Sequence, residues 1–272
     1  MAEINVNMSH DIEGYDMTQG YVAMVDKPLG WTSTDVVRKI KFALGKCGYR
    51  KIKIGHAGTL DPLATGVLLI CIGKATKMVD ALQSEQKEYI AEVVLGATTP
   101  SYDMEHPVDK RYPTEHITRE AIDQALQELT GERLQTPPLY SAKRIDGVRA
   151  YEAARAGEVV EMRQALINIY GMELLDCNLD PASEEKVLKI RVECSKGTYI
   201  RSLAFEIGEK LNSGAYLKSL RRTRSGSNDI EKGSWKLEEL LTKLYAIYNV
   251  DTSQFEDRDP TKRHRTIEAV AQ

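Results

Sequence analysis

The stretch GHAGTLDPLATG, Gly55 to Gly66, sets one carboxylate, Asp61, among small residues, with three glycines and a proline in twelve positions. So many conformational breakers predict a loop. The apolar run VLLICIG that starts at Val67 predicts a buried strand leaving it. Upstream, TSTDVVRKIKFALG has Thr32 three residues before Asp35, the spacing of a capping box, and then Val36, Val37, Ile40 and Leu44 at helical spacing. A basic helix ending at Gly45 therefore precedes the loop. Before that helix, YVAMVDKP, Tyr21 to Pro28, predicts a strand stopped by proline.

Downstream, KATKMVDALQ predicts a short helix, KEYIAEVVLG a strand and TREAIDQALQELTG an amphipathic helix with a glycine stop. The segment LQTPPLYSAKRIDGVRAYEAARAGEVVE opens with a Pro-Pro break and mixes basic, aromatic and small residues, which suits a mobile arm over a site. KVLKIRVEC alternates like a half-buried strand and turns through SKGT into YIRSLAFEIGEKLNSG. There Ile200, Leu203, Ala204, Ile207 and Leu211 form one helical face. GSWKLEELLTKLYAIY predicts a terminal helix. Strands and helices are interspersed without strict alternation, which points to an α+β arrangement. The expected organisation is a flexible leader over 1–19, one domain over 20–235 with the arm at about 136–161, and a C-terminal helix and tail over 236–272.

Apolar residues make up 42% and charged residues 28% of the 272, an ordinary globular composition that leaves no run able to span a bilayer. The polar, acidic N-terminus lacks the features of a secretory signal, so a cytoplasmic location is expected. Cys47, Cys71, Cys177 and Cys194 are scattered without a Cys-x-x-Cys pair, which argues for reduced, mostly buried thiols over a zinc ribbon or disulfide framework. A net charge of -3 argues weakly against nucleic acid, yet Val36 to His56 carries Arg38, Lys39, Lys41, Lys46, Arg50, Lys51 and Lys53 with no acid. Lys218, Arg221, Arg222 and Arg224 form a second basic cluster.

Asp61 could be a nucleophile, a base or a metal ligand, or simply a turn aspartate bonded to its own backbone. The loop lacks the Gly-Lys-Ser/Thr ending of a phosphate cradle, and His56 is the only imidazole near enough in sequence to share a metal. The second candidate is CSKGTYIRSL, where a strand turns into a helix start that attracts anions. Arg201 could fork onto a carboxylate or phosphate, or lie on the helix's polar side. Tyr199 and Tyr89 could stack on a nucleobase or belong to the core.

VDKPLGWTSTDVVRKIK, KIGHAGTLDPLATGVLLICIGKATK, KEYIAEVVLG, PPLYSAKRIDGVRAYEAARAGEVVE and CSKGTYIRSL together resemble, in order, the TruB-like tRNA pseudouridine synthases. The likeness runs from about Tyr21 to Arg224. It implies an α+β pseudouridine synthase fold, with a central mixed, largely antiparallel sheet flanked by helices and an inserted mobile arm. It implies that Asp61 is the catalytic aspartate, with Tyr89 and Arg201 as further catalytic residues and His56, Tyr199 and Leu220 as substrate-binding ones.

By the same resemblance the substrate is the T-loop uridine of tRNA, position 55, flipped out and isomerised to pseudouridine. No electron is exchanged, so no cofactor is expected, and neither a metal nor a protein partner. The enzyme is expected to work as a monomer on tRNA, with no membrane. Asp61 could attack C1′, stabilise positive charge there or take a sugar proton. Arg201 would hold Asp61, Tyr89 would relay the C5 proton, Leu220 would wall the base and His56 would serve RNA binding.

The usual bacterial members carry a C-terminal RNA-binding barrel, and the 37 residues after Trp235 are too few for one, so a short form is expected. Two rivals remain: a non-catalytic tRNA-binding or folding module, and a guide-RNA-dependent pseudouridine synthase relative.

Overall fold

The computed structural model describes residues 7–140, 144–145, 148–149 and 162–253. In chain order the first elements are β1 (Tyr21–Lys27), α1 (Ser33–Lys46), β2 (Ile54–Ala57), β3 (Ala64–Ile72), α2 (Val79–Ser84), β4 (Lys87–Leu95), β5 (Ala97–Thr98), β6 (Lys110–Arg111), α3 (Arg119–Leu129) and β7 (Gly131–Gln135). There follow β8 (Arg144–Ile145), β9 (Val148–Arg149), β10 (Ala165–Asn178), β11 (Lys186–Cys194), α4 (Ile200–Lys210), β12 (Ala215–Ser225), β13 (Asn228–Asp229), β14 (Trp235–Lys236) and α5 (Leu237–Ile247). Two compact units result: one runs up to Lys87 and resumes at Arg221, and the second is Glu88–Leu220.

In the first unit β1 pairs antiparallel with β3, from Tyr21 opposite Ile72 to Lys27 opposite Gly66, and parallel with β14 through Val25 and Trp235. β2 pairs antiparallel with β3, His56 opposite Ile70. α1 starts as its sequence requires: Thr32 accepts from the Asp35 N–H, and the Asp35 carboxylate takes the Thr32 N–H in return. Its apolar side, Val36, Ile40, Ala43 and Leu44, is buried. At its C-terminus Cys47 Sγ lies 3.7 Å from the Leu244 carbonyl of α5, and the Tyr49 and Tyr248 hydroxyls are 2.8 Å apart.

In the second unit β10 pairs antiparallel with β7 on one side and β11 on the other, and bulges twice, at Ile169/Gly171 and Leu174/Asp176. Bulges relax the strict alternation of the pleat over 14 residues. α3 buries Ile122, Ala125, Leu126 and Leu129, and α4 buries Leu203, Ala204 and Ile207, alongside buried Leu188, Ile190 and Val192 of β11. The strands of each unit are largely antiparallel, with the β1–β14 pair parallel, so the class is α+β as expected.

Four expectations change. Residues 7–19 are no loose leader: Ile12 and Met17 are buried, Asn7 bridges to Tyr21, and Asp16 caps a short 3-10 helix, Met17–Gln19. Two buried apolar side chains and backbone hydrogen bonds from Asn7 to Gly20 and from Val22 to Asn7 dock the segment. The loop at Asp61 is shorter than Gly55–Gly66, because β2 and β3 claim its ends and leave residues 58–63. KATKMVDALQ divides into a 3-10 turn, Gly73–Met78, and α2. The second basic cluster is not a free cationic surface: Lys218 is ion-paired to Glu185, Arg221 to Asp26, and Arg222 is buried, 1% exposed. All three stand on β12, whose alternation sends Arg222 inward with Leu220.

The expected arm at 136–161 lies mostly outside the described residues, which there include only 136–140 and the β8–β9 pair. The four cysteines are free, three of them buried.

Candidate active site

In the first unit Asp61 stands half-buried on the loop 58–63, and the loop is tied down along its length. The hydroxyl of Ser33, at the start of α1, donates to the Leu60 carbonyl at 3.0 Å and accepts from the Leu60 N–H at 2.8 Å. Gly30 N–H donates to the Pro62 carbonyl at 2.9 Å, and Ala64 N–H to the Asp61 carbonyl at 3.0 Å. Lys27, the last residue of β1, is fully buried and sends its ammonium to the carbonyls of Trp31 at 2.5 Å, Pro28 at 2.9 Å and Pro62 at 3.4 Å.

Arg222 spans both ends of the loop: Nε donates to the Val67 carbonyl at 2.7 Å and Nη2 to the Gly58 carbonyl at 3.1 Å. Gly66 makes this approach possible, since at φ +99° a Cβ there would sit 2.1 Å from the Arg222 carbonyl oxygen.

Burial brings the Lys27 pKa down from 10.5 to about 7; the Asp61 charge opposes that shift and the Arg222 charge adds to it. His56, half-buried on β2, is held below the usual imidazole value by burial and then by Arg222, against a hydrogen bond to the Gly58 backbone. The imidazole is therefore neutral at pH 7. Asp26 is pulled up by burial, but hydrogen bonds from Arg221, 3.0 Å to each oxygen, and from Lys236 at 2.6 Å outweigh it, so its pKa lies below the ordinary carboxylate value. Asp26 also accepts from the Gly66 N–H at 3.1 Å, which pins the start of β3.

In the second unit the start of α4 carries Tyr199 and Arg201. Buried Gln135, the last residue of β7, serves as a side-chain cap: its Oε1 accepts from the Tyr199 N–H at 2.8 Å and its Nε2 donates to the Tyr199 carbonyl at 3.2 Å. Arg201 is 4% exposed. Its Nη1 donates to the carbonyls of Tyr140 at 3.0 Å and Ser101 at 3.3 Å, and lies 3.5 Å from Asp103 Oδ2. Asp103 is fully buried, its Oδ1 accepting from Ser101 Oγ at 2.5 Å and the Glu105 N–H at 2.9 Å. Between them Tyr102 takes φ +61° and stacks on Phe205, ring centroids 4.3 Å apart.

Of the residues singled out by sequence, His56 and Asp61 thus belong to the first unit and Tyr89, Tyr199, Arg201 and Leu220 to the second. Tyr199 and Arg201 share one helix start, while Tyr89 and Leu220 are buried on the neighbouring strands β4 and β12. Sequence reasoning missed Lys27, Arg222, Gln135 and Asp103. Arg222 had a signal, since it lies two residues beyond Leu220 on a strand. Asp103 had a fainter one in the run of small hydroxyl residues TTPSYD. Among the described residues no three His, Cys, Asp or Glu side chains gather as a metal ion would require.

The family model for TruB family pseudouridylate synthase (N terminal domain) matches residues 46–200, which hold His56, Asp61, Tyr89 and Tyr199. A curated tRNA pseudouridine synthase B of Phocaeicola vulgatus is 56% identical over 214 residues, 78% of this chain and 88% of the relative. That of Bacteroides fragilis is 52% identical over 215 residues, 79% of this chain and 90% of its own. Among solved structures, a chain in the crystal structure of a Cbf5-Nop10-Gar1 complex aligns at TM-score 0.62 and 31% identity, over 89% of this chain but only 61% of that one. Structure and kinship agree, and the chain belongs to the TruB family of pseudouridylate synthases.

Proposed function

We propose that this chain isomerises a uridine of tRNA to pseudouridine, acting on position 55 in the T-loop with Asp61 as the essential group. The observation that carries the reading is the 56% identity to a relative named tRNA pseudouridine synthase B across 88% of that relative's length. The reaction breaks the bond between C1′ and N1, turns the base while it stays bound, joins C5 to C1′ and releases the C5 proton.

The chain's own residues divide that work. Ser33, Lys27 and Arg222 hold the loop of Asp61 through its carbonyls, so the carboxylate meets C1′ from a fixed frame rather than a floppy turn. A fixed frame matters because a misplacement of about 1 Å can lower a rate by orders of magnitude. By the family resemblance Arg201 and Tyr89 serve catalysis, Tyr89 with its ring for the uracil and its hydroxyl for the C5 proton, and Leu220 gives an apolar wall. Tyr199 and His56 bind RNA; the neutral His56 can accept as well as donate a hydrogen bond.

The domain over 20–235 carries the chemistry. The protein works as a monomer in the cytoplasm without a protein partner; among the described residues no helix is long and apolar enough to cross a membrane. The guide-RNA-dependent alternative is less favoured, because the chain from the Cbf5 complex is 31% identical where the tRNA synthase is 56%. A purely binding module has no use for a carboxylate on a loop tethered this firmly.

The test is release of tritium from C5-labelled uridine in a tRNA transcript by this protein alone. Wild type should release one equivalent per tRNA, and Asp61→Asn should release none while still binding. RNA binding by the wild type without any release would refute the enzyme reading.

A further inference from the structure

α1 turns Val36, Ile40, Ala43 and Leu44 inward and leaves Arg38, Lys41, Phe42 and Lys46 exposed along its other side, spaced i, i+3, i+4 and i+8. Phe42 is 51% exposed and has the Lys46 ammonium 5.4 Å from its ring centroid. The Arg38 side chain is 73% exposed, 3.8 Å from Asp35 in the cap one turn earlier. Arg50, Lys51 and Lys53, all exposed, extend the surface, and no acid interrupts the sequence from Val36 to His56. A lone exposed ring or a charged helix face is ordinary. A half-exposed phenyl ring flanked by cations, along a stripe that meets an acid only at Asp35 in the cap, is the make-up of a stacking platform for unpaired nucleic acid.

We propose that this face of α1 binds an unpaired nucleotide of the substrate RNA. The base stacks on Phe42 and the adjoining phosphates meet Arg38, Lys41 and Lys46. This rests on the reading that the substrate is tRNA, and adds to it a second nucleotide held by the protein. That nucleotide is distinct from the uridine at Asp61. Ser33 ties the start of α1 to the loop of Asp61, and at 1.5 Å per residue Phe42 lies about 14 Å further along the helix. One base cannot occupy both places.

The experiment titrates a whole tRNA transcript against wild type, Phe42→Ala and the triple variant Arg38→Gln, Lys41→Gln, Lys46→Gln, over a range of salt. Phe42→Ala should bind about tenfold more weakly. The triple variant should reduce the slope of log affinity against log salt by about two. For Phe42→Ala, single-turnover isomerisation at saturating tRNA should stay at the wild-type rate. Phe42→Trp should keep wild-type affinity, with its emission quenched by bound tRNA. Wild-type affinity and salt slope in both Phe42→Ala and the triple variant would overturn the proposal. Failure of the functional reading would register separately, as absence of tritium release by the wild type.

Discussion

The loop that carries Asp61 and the helix start that carries Arg201 are held by opposite means. In the first unit two buried cations, Lys27 and Arg222, spend their donors on main-chain carbonyls around residues 58–63. In the second, the buried cation Arg201 faces a buried carboxylate, Asp103, beside two carbonyls. Donors spent on carbonyls shape the backbone. A cation on a carboxylate is aimed by its partner. The first arrangement suits a loop that must stay rigid near an anionic substrate, and the second suits a side chain that must point one way.

The largest effect should come from breaking the second arrangement. Asp103→Ala leaves Arg201 without its buried carboxylate and should lower the unfolding free energy by about 3–5 kcal/mol in urea denaturation. Asp103→Asn should cost less, because it can still accept from Ser101 and the Glu105 N–H. Next comes the backbone of the first arrangement. Gly66→Ala combines a positive φ with a Cβ 2.1 Å from the Arg222 carbonyl oxygen and should cost about 2–3 kcal/mol, whereas Gly55→Ala, with nothing within 4 Å, should stay within about 0.5 kcal/mol.

The pH dependence sharpens the contrast further. Lys27 has a pKa of about 7 in the folded protein against 10.5 as its reference value. Between these the unfolded chain holds a proton that the folded one lacks, so stability should rise with pH there, by roughly 2 kcal/mol from pH 7 to 9. Lys27→Met should abolish that rise, as denaturation midpoints across the window would reveal. The smallest effect is that of His56, whose folded pKa lies below 6.5. Stability should climb as pH rises through the window just under 6.5, and His56→Gln should flatten that limb; an NMR titration of its ring should find the lowered midpoint directly.

Much of this fold was legible because its strongest elements obey local rules. The capping box at Thr32 fixed the start of α1, and the runs at Tyr21, Lys87, Lys186 and Ile200 became β1, β4, β11 and α4 close to their expected ends. β10 escaped because two bulges break its period of two, and β12 because four cations in a short stretch hide its apolar alternation. Asp61, Tyr89 and Arg201 could be named from motifs. Lys27, Arg222 and Asp103 could not, since a buried charge is recognised only by the partners that fold around it, and those lie 35, 155 and 98 residues away for Pro62, Val67 and Arg201.

The central claim is tested most directly by mapping pseudouridine at single-nucleotide resolution in a tRNA transcript, through carbodiimide adducts that stop reverse transcription. Incubation with the wild-type protein alone should produce one new stop, at the T-loop uridine, and Asp61→Asn none. An unmodified T-loop after wild-type treatment, or the same stop with Asp61→Asn, would contradict the account.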